Sequence, residues 1–244
     1  MLIAIISDIH SNLHALDAVF KDADSHSPDK YYCLGDIVGY GAFPVECVKL
    51  VRERCEHVIF GNHEYALLYP NHAGTFNRDA NKALEYTRKK LSVDDINWMF
   101  TLEPHLVLDG ITLAHGSLRD FEEYVSDATI ARLSLEIQET KLLVIGHTHY
   151  PEGYQYDLET KSARAIDMSD KSEYCLSDGY RYLVNVGSVG QPRDGDSRAG
   201  YCLYDSEKLT VKIIRVEYDI KSAVEAIKTA NLPEFLAKRL FAGR

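Results

Sequence analysis

The chain has 244 residues, of which 45% are hydrophobic and 26% charged, with a formal net charge of −10. This is the balance of an ordinary globular protein, long enough to bury a substantial core, and it predicts a single domain over residues 1–244. It excludes a basic face able to neutralise a nucleic-acid backbone, so non-specific nucleic-acid binding is not expected, and no apolar run approaches the ~20 residues of a membrane-spanning helix.

The apolar start at Met1–Ile6 is followed at once by Asp8, His10 and Asn12, too soon for a secretion signal. Leu2–Ile6 therefore predicts a buried strand. A helix is expected over Leu13–Ala23, a strand over Tyr31–Leu34, a helix over Pro44–Arg54 and a strand over His57–Phe60. Residues 65–105, rich in Tyr, Asn and His, break this rhythm. They predict a helical insertion near the strand ends, with a helix over Arg78–Leu91, in a natural place for a lid. Ile111–Ala114 and Leu142–Ile145 read as strands, separated by a helix over Ala128–Glu139 that starts after an N-cap signal at Ser126-Asp127. Such alternation argues an α/β fold with a largely parallel sheet.

The pattern changes at about Tyr150. Tyr154–Asp157 and Ala163–Ile166 predict a hairpin around Glu159-Thr160, and Tyr182–Asn185, Gly200–Tyr204 and Leu209–Val216 predict further strands. Without long helices between them, these strands are expected to form a second, mostly antiparallel sheet packed on the first as a sandwich. Helices over Ile220–Ala230 and Pro233–Phe241 close the chain. The five cysteines, Cys33, Cys47, Cys55, Cys175 and Cys202, are odd in number and lack a C-x-x-C, so buried free thiols and a reducing, cytoplasmic location are expected.

The chemistry-bearing side chains follow the predicted strands in register. Asp8 and His10 follow the first, and Asp36 follows the second within Gly35-Asp36-Ile37-Val38-Gly39. Asn62 and His63 follow the third within Gly61-Asn62-His63-Glu64. His115 follows the fourth, and His147 and His149 follow the fifth within Gly146-His147-Thr148-His149. Taken singly, each has an ordinary reading: Gly-Asp is usually a turn, and one histidine is usually a core residue. Five successive strands delivering carboxylate, imidazole and amide to one sheet edge point instead to a site at the carboxyl ends of the strands. In an extended segment, Asp8-x-His10 and His147-x-His149 would each place both side chains on one face. The glycines before Asp36, Asn62 and His147 would let the chain turn sharply. The mixed oxygen and nitrogen donors suit Mn, Fe, Zn or similar ions, and they exceed what one ion needs, so two ions sharing a carboxylate are expected.

These motifs, D-x-H, G-D-x-x-G, G-N-H-E, a later His and G-H-T-H, stand in order over residues 8–149 and resemble the calcineurin-like metallophosphoesterases. Asn185-Val186-Gly187-Ser188-Val189-Gly190-Gln191-Pro192-Arg193-Asp194-Gly195-Asp196 and the ending from Leu232-Pro233-Glu234 to Gly243-Arg244 are similar to a bacterial and archaeal subgroup of predicted phosphodiesterases. The resemblance implies a four-layer α/β/β/α fold, a two-sheet β-sandwich flanked by helices. It also implies two metal shells. Asp8, His10 and His149 would hold one ion with bridging Asp36; Asn62, His115 and His147 would hold the other. His63 would be catalytic and face the substrate, with Glu64, where many members have Asp, orienting it through a hydrogen bond.

The activity so implied is hydrolysis of a small phosphodiester or nucleotide, such as a dinucleoside polyphosphate or a cyclic nucleotide, by a metal-activated hydroxide, with His63 as a transition-state stabiliser or proton donor. Arg193, in the glycine-rich Gly187–Gly195 loop, could contact a phosphate oxygen, although the loop could equally serve to pin the second sheet. Tyr40, Tyr65, Tyr69 and Phe76 could stack on a nucleobase. Two other readings stay open: a Ser/Thr protein phosphatase, suggested only by Gly61–Glu64, and a non-catalytic scaffold of the same fold. A scaffold would be expected to lose ligands or His63, and all are present here.

Overall fold

The structure is a computed structural model, and it describes residues 1–72, 76–108, 110–168 and 173–244. Residues 73–75 of the predicted insertion lie outside this description.

Two six-stranded mixed sheets face each other. In the first, β1 (Leu2–Ile6) is central. It pairs in parallel with β2 (Lys30–Cys33), which pairs in parallel with β3 (His57–Val58). On the other side of β1 stands β11 (Ala199–Asp205), antiparallel, then β12 (Thr210–Val216) and the two-residue edge strand β9 (Tyr174–Cys175). The second sheet runs β4 (His105–Leu108), β5 (Ile111–Ala114), β6 (Leu142–Ile145), β10 (Tyr180–Asn185), β7 (Glu152–Asp157) and β8 (Ala163–Ile166). Its centre, β5-β6-β10, is parallel.

The layers follow from the period of two along a strand. Ile3 and Ile5 of β1 face Leu113, Leu142, Val144 and Val184 of the other sheet across the inner core. Ala4 and Ile6, on the opposite face, meet α1 (Leu13–Ser25) and α2 (Pro44–Arg54) through Leu16, Val19, Val48 and Val51. Leu143 and Ile145 of β6 likewise meet Ala131 and Leu135 of α6 (Ala128–Ile137). A central strand buried on both faces reads as an unbroken apolar run. The result is helices, sheet, sheet and helix, four layers in all.

The partition of strands differs from the sequence expectation. The early parallel runs do not form one sheet and the late strands another. β1–β3 nucleate the first sheet and β5–β6 the second, and the late strands complete both. Between β3 and β4, α3 (Asn62–Leu68), α4 (Arg78–Lys90) and α5 (Val93–Met99) carry the chain from one sheet to the other. A buried run shows that it is a strand but not which partner covers its edge. The third strand also stops at Val58, short of the expected Phe60, because Asn62 already opens α3.

Local signals elsewhere hold. Asp127 Oδ1 accepts the Thr129 and Ile130 N–H groups at the start of α6, at 2.7 and 3.0 Å. Asp157 Oδ1 closes the β7–β8 turn on the N–H groups of Glu159 and Thr160. Cys33, Cys47 and Cys202 are buried free thiols, Cys55 is half-buried, and Cys175 is exposed because β9 is an edge strand. α7 (Ile220–Thr229) and α8 (Glu234–Ala242) pack together and against Ala83 of α4. No helix among the described residues is long and apolar enough to cross a membrane.

The C-terminal ends of β1, β2, β5 and β6 meet at one edge, and the segment after β10 locks onto it. Val189 and Gly190 N–H groups donate to the carbonyls of Ser7 and Asp8, at 3.0 and 2.9 Å. Gly190 sits so close to β1's exit that a Cβ there would lie 1.8 Å from the Ile9 carbonyl oxygen. Gly190→Ala should therefore cost about 1–3 kcal/mol of overpacking strain. The expected readout is a lower guanidinium midpoint with an unchanged slope.

Candidate metal centre

The side chains at this edge are carried on unusual backbone. Asp8, His10, Asp36, His147 and His149 all have positive φ, between 49° and 67°. The pairs Asp8-x-His10 and His147-x-His149 are thus not extended, as the spacing suggested. Each chain leaves its strand through left-handed residues that turn both side chains inward. Asp and His tolerate this region better than most residues, and local hydrogen bonds hold it. Asp8 N–H donates to Gly35 O at 3.1 Å, His10 N–H to Asp36 O at 2.9 Å, and His147 N–H to Asp8 Oδ2 at 2.9 Å. Of the three preceding glycines only Gly35 needs its conformational freedom, at φ 89°. Gly61 and Gly146 are needed for space: a Cβ would lie 2.2 Å from Asp36 Oδ1 and 2.4 Å from Asp8 Oδ2 respectively.

Two buried clusters result, and they share one residue. Potential ligand atoms of Asp8, His10, Asp36 and His149 lie within 4.8 Å of one another, as do those of Asp36, His115 and His147. Asn62 joins the second cluster, with Oδ1 3.1 Å from His115 Nε2. All seven residues that the sequence singled out are therefore together, and Asp36 is the one in common.

The hydrogen bonds decide which ring nitrogens face the site. His10 Nδ1 lies 3.1 Å from the Val38 carbonyl and His149 Nδ1 lies 2.5 Å from the Gln191 carbonyl. A carbonyl only accepts, so both Nδ1 atoms carry the proton and, in neutral rings, both Nε2 atoms present lone pairs. Those two atoms are 3.1 Å apart. Asp8 Oδ1 is 3.1 Å from one and 3.7 Å from the other, and Asp36 Oδ2 is 3.7 Å from His10 Nε2. Asp8 Oδ1 makes no aligned hydrogen bond. Four acceptors converging without a hydrogen between them repel one another unless a cation sits among them. His147 is oriented the other way: Nε2–H donates to the Glu122 carbonyl at 3.0 Å, leaving Nδ1 as its acceptor. Carbonyl partners that fix the tautomer in this manner are the usual support of metal-binding histidines. The donor set fits divalent transition ions.

The charge states agree. Burial, and for His10 also the neighbouring His63, holds His10 well below the ordinary imidazole value. Burial also lowers His149, with Arg193 helping, and brings His147 down to about 3, so these rings are neutral. Burial alone would raise Asp8 and Asp36, but in acid, where His149 is protonated, His149 beside the first and His115 beside the second hold both below the usual carboxylate range. His115 is the exception. Burial opposes its charge, yet Asp36 and Asp8 outweigh that and raise it to about 9. The carboxylates thus hold a proton on His115 where a cation would otherwise satisfy them.

His63 is buried beneath this centre, with its N–H donating to Asp36 Oδ1 at 2.8 Å. Its ring is flanked by His10 and Tyr40, each with centroids 4.6 Å away, and by Phe76 at 4.9 Å. Burial brings it down to about 4 despite Asp36, and its Nδ1 has no hydrogen-bond partner. Glu64 does not orient it, contrary to expectation. At the first turn of α3, Glu64 reaches back to accept the N–H groups of Gly61, Asp36 and Val38 at 2.9, 2.7 and 3.0 Å. It holds the Asp36 loop, and His63 is placed by ring packing. Burial and the Asp36 charge push Glu64 up to about 7, against those three N–H donors.

The glycine-rich loop does approach the centre. Its Val189 and Gly190 N–H groups serve the β1 exit rather than open space, while the Gln191 carbonyl orients His149. Arg193 lines a cavity of about 450 Å³ with Tyr124, Thr148 and Tyr150. Tyr40 and Phe76 line a neighbouring cavity of about 240 Å³ with Asn62, Tyr124 and His147. Tyr65 and Tyr69 do not join them; Tyr65 packs against Phe60, Phe121 and Tyr69. Sequence reasoning missed Tyr124, which stacks on His147 with centroids 4.2 Å apart, because an isolated tyrosine in a loop carries no pattern.

The two-sheet architecture is that of solved metallophosphoesterases. A metallophosphoesterase from Sphaerobacter thermophilus matches with a TM-score of 0.87 at 36% identity, over 100% of both chains. The hypothetical protein PH1004 from Pyrococcus horikoshii OT3 shares the fold, with a TM-score of 0.80 at 23% identity over 100% of this chain and 98% of the other. In sequence, the chain is 37% identical over 255 residues to the uncharacterized protein MJ0912 of Methanocaldococcus jannaschii, covering 100% of this chain and 98% of that protein. The chain belongs to the calcineurin-like phosphoesterase family, whose family model matches residues 1–166.

If His115 holds a proton until a cation replaces it, metal uptake at pH 7.5 should release about one proton per chain, and affinity should rise with pH up to about 9. Calorimetric titration in buffers of different ionisation enthalpy measures that proton. The same titration of His115→Gln should release none.

Proposed function

We propose that the protein is a metal-dependent phosphoesterase that hydrolyses a small phosphodiester or nucleotide. The observation that carries this reading is the convergence of imidazoles and buried carboxylates on Asp36, with the neutral His10 and His149 rings turning lone pairs inward and protons outward to carbonyls. Asp8, His10, Asp36 and His149 would hold one divalent ion, and Asp36, Asn62, His115 and His147 a second. Mn, Fe and Zn suit the donors. Bound there, such ions supply Lewis acidity toward a phosphoryl oxygen and an activated water near neutral pH.

The remaining chemistry falls to the chain. His63, next to Asn62 and near Asp36 Oδ2 at 4.0 Å, is the group placed to meet the phosphoryl oxygens or the leaving oxygen. Held neutral, it acts as an N–H donor, and only an anion arriving beside it would raise it toward protonation. Arg193 adds a positive charge at the same mouth, its main-chain N 3.5 Å from the His149 carbonyl oxygen. Cavities of about 240 and 450 Å³ favour a small phosphorylated substrate over a protein one.

Metal-stripped protein reloaded with Mn²⁺ should turn over bis-p-nitrophenyl phosphate, with p-nitrophenyl phosphate and a dinucleoside polyphosphate as comparisons. His63→Ala should lower kcat by about 10²–10⁴-fold while still binding two ions per chain. Asp36→Asn should lose metal as well as turnover. Wild-type protein that binds two ions but hydrolyses no ester with any metal would overturn the reading in favour of a scaffold.

A further inference from the structure

Tyr124 stands 50% exposed at the mouth of the centre. Its ring lies on the His147 imidazole, with centroids 4.2 Å apart and planes 17° from parallel. It is held there from both sides. Glu122, two residues before it, accepts the His147 Nε2–H on its carbonyl at 3.0 Å, and the Glu122 carboxylate meets His72 Nε2 at 2.8 Å. Val125, the next residue, is buried in the core beside Ala114, Ala131 and Leu135. The chain is thus pinned to a metal-ligand candidate before Tyr124 and to the α6 layer after it. One face of the ring is spent on His147, and half of its surface is left to solvent, where an aromatic ring can still serve an incoming group.

Tyr124 also stands where two cavities meet. The smaller, of about 240 Å³, is lined by Tyr40, Asn62, Phe76, Ala80 and His147 together with Tyr124. The larger, of about 450 Å³, is lined by Ser126, Thr148, Tyr150, Glu152 and Arg193 together with Tyr124. No other described residue lines both. Both open beside the same ligand turn. Asn62 and His147 themselves wall the first, whose Phe76 packs on His63 with centroids 4.9 Å apart. Thr148, between His147 and His149, walls the second, where the main-chain N of Arg193 lies 3.5 Å from the His149 carbonyl oxygen.

The two cavities differ in character. Three aromatic rings, Tyr40, Phe76 and Tyr124, surround the smaller and suit a flat aromatic group. The larger has hydroxyls of Ser126, Thr148 and Tyr150 and the Arg193 side chain, whose buried Nε has no hydrogen-bond partner, and it suits a polar group. Pockets that take a whole drug-sized ligand run to about 300–1,000 Å³, so the smaller cavity suits a single arm of a substrate.

We infer that Tyr124 is a specificity-determining residue that divides the mouth in two, so that a phosphorus at the centre carries one organic arm into each cavity. This rests on the phosphoesterase reading and narrows its substrate to a phosphodiester with two organic arms, at least one of them aromatic. A monoester fills one cavity and leaves the other to water.

The test uses three esters with one leaving group. Thymidine 5′-(p-nitrophenyl) phosphate has two large arms, methyl p-nitrophenyl phosphate has one arm cut to a methyl group, and p-nitrophenyl phosphate lacks it. In each, the oxygen of water bonds to phosphorus, the P–O bond to the aryl group breaks, p-nitrophenolate leaves and the proton goes to solvent. For wild-type protein loaded with Mn²⁺, kcat/KM for the thymidine ester should exceed that for the methyl ester about tenfold or more. Tyr124→Ala, which joins the cavities, should bring that ratio to within about twofold. Tyr124→Phe keeps the ring and should keep the ratio, and Tyr124→Leu carries the test if the alanine variant does not fold. A merely structural role, acting through a displaced His147, would lower both esters alike and leave the ratio unchanged. A Tyr124→Ala ratio equal to that of the wild type therefore overturns the partition, as does a wild-type ratio near one. So does p-nitrophenyl phosphate turned over as well as the thymidine ester. Turnover of the methyl ester by the wild-type protein separates these failures from failure of the phosphoesterase reading itself.

Discussion

Asp8 and Asp36 are at most 1% exposed where the two sheets meet, and a carboxylate buried there without compensation costs several kcal/mol. Most of the site can be understood as the answer to that cost. Asp36 Oδ1 accepts the His63 N–H and Asp8 Oδ2 accepts the His147 N–H, which leaves Asp36 Oδ2 and Asp8 Oδ1 turned toward the imidazoles. Each carboxylate is thus half satisfied by the protein and half committed to positive charge. Since His10, His147 and His149 are held neutral by burial, the charge cannot come from them. A protonated His115 supplies one positive charge against two negative ones. Divalent ions held here, as proposed above, would close the difference.

The same constraint explains why the two sheets interlock at this edge. Five residues in left-handed conformation, at about 1 kcal/mol or more each, amount to a sizeable share of a stability of roughly 5–15 kcal/mol. They persist because other segments over-determine them. The β1 exit is held by Gly35 and Asp36 carbonyls on one side and by Val189, Gly190 and Ser188 on the other. The His147 turn is held by Asp8 and, through the Gly146 carbonyl, by Asn185 at 2.5 Å. No single strand positions its own ligands; each exit is clamped by chain that arrives from elsewhere, over 100 residues away in sequence for Asp8.

That interdependence marks what the sequence could reveal. The convergence of the candidate ligands was legible because each followed an apolar run, and a run of both-face-buried residues is a strong local signal. The backbone shape at the ligands was not legible: Asp8-x-His10 looks the same on paper whether extended or left-handed. The partner of Glu64 was also hidden. Glutamate at the third position of a helix can reach back to N–H groups at the helix start, and three of them outcompete a neighbouring ring. Sheet partition failed for a related reason, since hydrogen-bond partners across a sheet leave no trace in a fully apolar strand.

On the phosphoesterase reading, an acidic chain must make its attraction for an anion local. The net charge of −10 repels a phosphate at long range, though salt screens that repulsion beyond about 8–10 Å. Within that range the sign is set by what is unpaired. Arg52, Arg54, Arg119, Arg132, Arg198 and Arg215 are neutralised by carboxylates, and most of them stand on the outer surface. Arg193, whose side chain bonds only the Gln191 amide oxygen, lines the cavity beside the centre. Local attraction of this kind requires no excess of basic residues.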